Sequence, residues 1–227
     1  MSISERLYIR WFPDEASEPT STLVLTTPSR HFVDLRFFKP SDPTSNTLLD
    51  KLEWGFSGRS VGSPTHGEWI HEISSRTEHP EGEADEGDMF PHPTDPDVEI
   101  ERGRMIHPDS GELREYEEAW KAVRPLPMGG PYEGRSTCVL MQLREDVPGR
   151  RGTVVRVGQY VQGIVRDGAE VSVQRWAWTP REAGWKKIGQ VGSFDVPCDA
   201  TWRTVLKEGD IVERGNAVWI VKEVSYL

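Results

Sequence analysis

His71 lies two residues after Trp69 in an alternating segment, Trp69 to Ser75, and its imidazole is the side chain best suited to moving a proton near neutral pH. The chain around it is rich in flat, electron-rich surfaces. Nine tryptophans occur in 227 residues, and each buries roughly 150–250 Å² while carrying an N–H that needs a partner. Trp54, Trp69, Trp120, Trp176 and Trp178 can stack on a planar ligand, and His71, Arg104, Tyr160, Gln162 or Arg175 can fix its orientation. For a reaction, His71 or a buried carboxylate would transfer the proton with no cofactor. An apolar wall helps, because desolvation keeps an acid protonated near neutral pH. The competing reading is that the same rings simply fill a core.

Other chemistries lack their signatures. His66 and His71 are five apart and His92 lies near Asp88 and Asp95, but no spacing matches a metal site, so no metal is expected. There is no GxSxG elbow, and Gly58, Gly62 and Gly67 form neither a P-loop nor a dinucleotide fingerprint. With 27 Lys+Arg against 37 Asp+Glu the formal net charge is −10, and the dense run from Glu78 to Asp88 is acidic. Such a surface repels phosphate backbones, so nucleic acid is not an expected partner. No apolar run approaches the roughly 18 residues of a membrane span, and Met1 to Thr20 has neither the apolar core of a signal peptide nor the basic character of a transit peptide. No membrane partner and a cytoplasmic or nuclear location are expected. Cys138 and Cys198, without a CxxC pair, read as buried thiols.

These groups must be positioned by strands. Period-two patterns recur and long helical periodicity is nearly absent, which predicts an all-β chain. The first half reads as strands at 7–12, 22–25, 32–38, 52–56, 69–75, 102–107 and 113–123. The last forms a hairpin with its predecessor, because Asp109-Ser-Gly111 is a turn. Residues 77–97, acid-rich and punctuated by Pro80, Gly82, Gly87, Pro91, Pro93 and Pro96, read as a long loop. Proline and glycine from Pro125 to Pro131 mark a boundary. The expected organisation is an N-terminal barrel over 1–125 with an acidic loop at 77–97, a linker over 126–135 and a C-terminal barrel over 136–227. Short echoes between the halves suggest duplication.

Strand parity assigns faces. Leu7, Ile9 and Trp11 group together, as do Val33, Leu35 and Phe37, then Leu52, Trp54 and Phe56, then Trp69, His71 and Ile73. These sets are expected to line the first barrel, leaving Asp34, Arg36, Glu53 and Glu72 on the solvated side. In the second half, one long strand over 153–165 and another over 171–179 carry apolar residues on both faces with neither face cleanly apolar, so both faces are expected to be covered and this half to pack against the first.

Four segments carry a family resemblance: Leu52-Glu-Trp-Gly-Phe-Ser-Gly58, Glu101-Arg-Gly-Arg-Met-Ile-His-Pro108, Tyr116-Glu-Glu-Ala-Trp120, and Gly158-Gln-Tyr-Val-Gln-Gly163 after Cys138-Val-Leu-Met-Gln-Leu143. In order and across almost the whole chain, they resemble the fungal HRI family, small cytosolic proteins named for an interaction with a casein-kinase-1 homologue. The resemblance implies two packed lipocalin-like β-barrels and transfers no catalytic residues. Fungal barrels of this type include cofactor-free isomerases and cyclases of secondary metabolism, an analogy of fold alone. It suggests a hydrophobic, aromatic or prenylated small molecule as ligand, with His71, Tyr116, Glu118 and Arg175 as acid–base candidates. A second reading is a noncatalytic interaction module whose acidic segment docks a kinase or trafficking partner.

Overall fold

The computed structural model describes residues 1–42, 45, 47–127, 134–180 and 183–226. Its first half is a closed barrel of β1 (Ser2–Trp11), β2 (Thr20–Thr26), β3 (His31–Phe38), β4 (Leu52–Ser63), β5 (His66–Ser74), β6 (Ala84–Pro91), β7 (Val98–Ile106) and β8 (Leu113–Val123). Neighbours pair antiparallel and β8 returns to β1, so this sheet has no open edge. The second half comprises β9 (Thr137–Leu143), β10 (Arg150–Val157), β11 (Tyr160–Asp167), β12 (Glu170–Thr179), β13 (Gly184–Val191), the short helix α1 (Ala200–Arg203), β14 (Ile211–Arg214) and β15 (Ala217–Tyr226). It is a curled seven-stranded sheet, ordered β13-β12-β11-β10-β9-β15-β14, a half-barrel rather than a closed one. The all-β expectation holds, with a hairpin of β7 and β8 around the turn after His107. Of the expected linker, residues 128–133 lie outside the described residues. Among the described residues no helix is long and apolar enough to cross a membrane.

One element departs from the sequence reading of 77–97 as a loop. β6 runs through it and joins β5 to β7. Its sequence, Ala-Asp-Glu-Gly-Asp-Met-Phe-Pro, has no apolar stripe. Its side facing the lumen carries Asp85 and Met89, one charged and one apolar, so the usual alternation of apolar and polar residues is missing.

A large apolar core lies between the halves. Val33, Leu35 and Phe37 of β3 pack with Leu140, Val155, Val157 and Ile164 of the second sheet. Parity grouped that triad correctly but aimed it at the lumen. The structure aims it outward, onto the apolar face of the second sheet. Gly189 lets the contact close: a Cβ there would stand 2.8 Å from the Phe37 ring. Leu49, between β3 and β4, adds backbone bonds to β13, from Leu49 N to Ile188 O at 3.0 Å and from Gln190 N to Leu49 O at 2.8 Å.

Buried side chains also reach across the interface. Gln162 donates to the carbonyls of Leu23 and Val33 at 2.8 and 2.9 Å. Arg175 donates to Gln162 Oε1 at 2.6 Å, to Ser21 O at 3.0 Å and to Leu35 O, with its guanidinium over the Phe37 ring. The other face of the second sheet is filled by its own side chains. Trp219, Met141, Val154, Val161 and Cys198 are fully buried there, and Trp202 of α1 stacks on Trp185 at 4.5 Å. Both cysteines are buried free thiols.

Candidate functional site

The lumen of the first barrel holds a cavity of about 310 Å³. Phe32, Phe56, Trp69, Trp120, Met89 and Met105 supply apolar wall, and Asp34, Arg36, Glu101 and Glu118 project into it. The charged residues come from β3, β7 and β8, whose apolar alternates face outward. Bulges determine which residues reach the lumen. The register between β3 and β4 slips so that Arg36 opposes Trp54 while Phe37 opposes Leu52, which makes Glu53 the extra residue. A similar slip at Glu72 turns His71 toward the lumen and Ile73 toward the core between the halves. A third, at Leu7, keeps both Arg6 and Ile9 inside and leaves Leu7 exposed.

The buried charges form one network. Arg6 binds Glu118 at 2.5 Å and Glu18 at 2.8 Å. Arg36 binds Asp34 at 3.0 Å, approaches Glu118 at 3.7 Å and lies over the rings of Trp54 and Phe56. Burial pulls the Arg36 guanidinium down, but Asp34 and Glu118 outweigh it and hold it above its ordinary value. Asp34 moves the other way from a normal carboxylate: burial raises it against the pull of Arg36. Its Oδ1 has no hydrogen-bond partner.

Glu101 opposes Glu118 directly across β7 and β8, and two like charges in that position are unfavourable. Glu118 has the arginines. Glu101 does not, and burial followed by the charge of Glu118 pushes its carboxyl up to about 8. It is therefore a neutral acid at pH 7. Trp120 Nε1 donates to its Oε2 at 2.9 Å, and Tyr116 Oη lies 2.6 Å from Oε1 and 3.3 Å from the Glu86 carbonyl. A hydroxyl can accept from one neighbour and donate to another. The acid proton of Glu101 can thus rest on Tyr116, whose own proton turns to Glu86. Two glycines make the space: a Cβ on Gly87 would stand 2.6 Å from Glu101 Cγ, and one on Gly103 2.7 Å from Tyr116 Oη. Among the described residues no cluster of three or more His, Cys, Asp or Glu could hold a metal ion.

A family model described as Protein HRI1 matches residues 2–223. The chain belongs to the HRI1 family. No curated protein matches it. Among solved structures, an uncharacterized protein of Saccharomyces cerevisiae, YLR301w, is similar with a TM-score of 0.74 at 16% identity, covering 99% of this chain and 98% of that one. That likeness extends to the fold alone.

In this HRI1-family barrel, Trp69, Trp120 and Glu118 share the cavity wall, with Tyr116 buried at its floor against Glu101. His71 sits one layer behind, against Trp54 and Phe56, with Asp85 Oδ2 3.4 Å from Nε2 and neither ring nitrogen hydrogen-bonded. Trp54 stacks on Phe56 at 4.2 Å and supports the wall from behind. Arg104 is on the barrel exterior, paired with Glu115 at 3.3 Å. Tyr160 packs with the core between the halves, where Gln162 and Arg175 are held by backbone carbonyls. Trp176 meets Trp202 and Lys187 on the second sheet, and Trp178 opposes Trp185 on β13. The residues given to solvent by parity, Asp34 and Arg36, are instead buried in the lumen. Glu101 was not singled out by sequence, though counting back from the turn after His107 places it opposite Glu118.

Proposed function

We propose that the first barrel is a receptor for a small, flat, partly apolar molecule, and that its floor can exchange a proton with that molecule. The observation that carries this reading is a hollow aromatic lumen ending on a buried carboxylic acid, Glu101, that is neutral near pH 7. Such an acid can protonate a carbonyl or alkene. Asp34, with its free Oδ1 and raised carboxyl, is the matching base. Isomerisation or cyclisation of an aromatic or prenylated compound by proton transfer, with no cofactor, is chemistry these groups can perform in a cytoplasmic setting. The alternative, an acidic surface that docks a kinase, draws on exposed acids such as Glu81 and Asp88. That support is weaker, because Glu81 already pairs with Arg151, and Asp88 with His66 at 2.8 Å.

Titration with 2-naphthol, read by intrinsic tryptophan fluorescence, tests the reading. A ligand of roughly a dozen non-hydrogen atoms, at about 0.5 kcal/mol each, binds with Kd in the range of about 10–100 μM. Quenching is expected to saturate in that range and to lose amplitude in Trp69→Phe. Quenching that stays linear into the millimolar range, unchanged by the substitution, contradicts a lumen site.

A further inference from the structure

The charges around the cavity do not balance. Four carboxylates line it, Asp34, Asp85, Glu99 and Glu118, with the neutral acid Glu101, against two arginines, Arg30 and Arg36. Arg36 is committed to Asp34 and Glu118. Arg6, behind the wall, is committed to Glu118 and Glu18. The remaining carboxylates, Asp85 and Glu99, face the cavity beside electron-rich rings, Phe32, Phe56, Trp69 and Trp120. Independently of the count, Asp34 is 2% exposed and its Oδ1 accepts no hydrogen bond although the residue lines the cavity. A buried carboxylate oxygen left open costs free energy unless a donor arrives. A donor that also carries positive charge gains from the acids and from the ring faces together.

We propose that the lumen selects an organic cation, a ring-bearing ammonium or amidinium compound whose charge sits among Asp34, Asp85 and Glu99 and whose apolar body lies against Phe56, Trp69 and Trp120. This rests on the lumen being a ligand site and adds the charge of the ligand. An anion is rejected by the same acids, and a neutral isostere leaves Asp34 with a weaker donor.

The test is a matched set of probes at pH 7 and low salt: 2-naphthylmethylammonium, its neutral isostere 2-naphthylmethanol, and the anion 2-naphthylacetate. The ammonium is expected to bind at least about tenfold more tightly than the alcohol, with no binding of the acetate. Asp85→Asn is expected to weaken the ammonium about tenfold while leaving the alcohol unchanged. Should that variant fail to fold, Glu99→Gln at the exposed rim is expected to weaken the ammonium alone. Equal binding of ammonium and alcohol overturns the cation assignment and leaves the lumen site standing. Failure of all three probes to bind overturns both.

Discussion

Glu101→Gln is expected to remove most of a decline in stability that the wild-type protein suffers as pH rises from about 4.5 to about 8. The folded carboxyl titrates near 8, against an ordinary value of 4.5, because burial and then the Glu118 charge disfavour its anion. Between those limits the folded state holds a proton that the unfolded state has released, so stability falls with rising pH. Below the window both states are protonated, and above it neither is, so the loss develops only inside it. At about 1.4 kcal/mol per pH unit the decline is at most about 5 kcal/mol. Glutamine mimics the neutral acid, accepting from Trp120 and donating to Tyr116, without a proton to lose. Asp34, also raised by burial, acts in the same sense and leaves a residual slope in the variant. Urea unfolding of both proteins at pH 5 and pH 8.5 measures this. Parallel declines would show that Glu101 ionises normally.

Arg175→Met is expected to cost about 3–5 kcal/mol. The guanidinium is fully buried and donates to Gln162 Oε1 and to the carbonyls of Ser21 and Leu35. Methionine fills much of the space over Phe37 but leaves those acceptors without donors, at about 1–3 kcal/mol each before relaxation. Gln162→Leu removes the donor to Leu23 and Val33 in the same network, so the two substitutions are expected to be non-additive in a double-mutant cycle. Neither residue touches the lumen, so Arg175→Met is expected to keep its 2-naphthol affinity within about twofold at a temperature where it is folded. Loss of binding with little loss of stability would return Arg175 to a ligand site.

The sequence carried most strands that were apolar on one side, and it carried the two-sided burial of the second sheet, but it read 153–165 as one strand where β10 and β11 form a hairpin that turns at Gly158. It did not carry the direction of β3. Alternation says that Val33, Leu35 and Phe37 share a face, but not whether that face meets the lumen or a second sheet. Here the apolar faces are spent on packing the halves together, and the lumen takes the charged alternates, Asp34 and Arg36. Single-residue bulges hid the rest. The extra residues Leu7, Glu53 and Glu72 each reverse the parity within a strand, separating His71 from Ile73 and joining Arg36 to Trp54. β6 escaped notice for a related reason: between solvent and a lumen lined by both charged and apolar groups, it carries only Met89 as an apolar lumen residue and has little apolar signal. Glu101 was legible in principle, because hairpin register places it opposite Glu118. Its neutrality depends on the arginines pairing with Glu118, which arrive from β1 and β3.

The central claim is that the first barrel's lumen holds the ligand. Intermolecular NOEs between 2-naphthol and protein carrying labelled methionine methyls test it most directly. Met89 and Met105 line the cavity, whereas Met141 is buried in the second sheet. Contacts from the naphthol ring to the methyls of Met89 and Met105, with none to Met141, are the predicted result. Contacts to Met141 alone, or none at saturating naphthol, would contradict it.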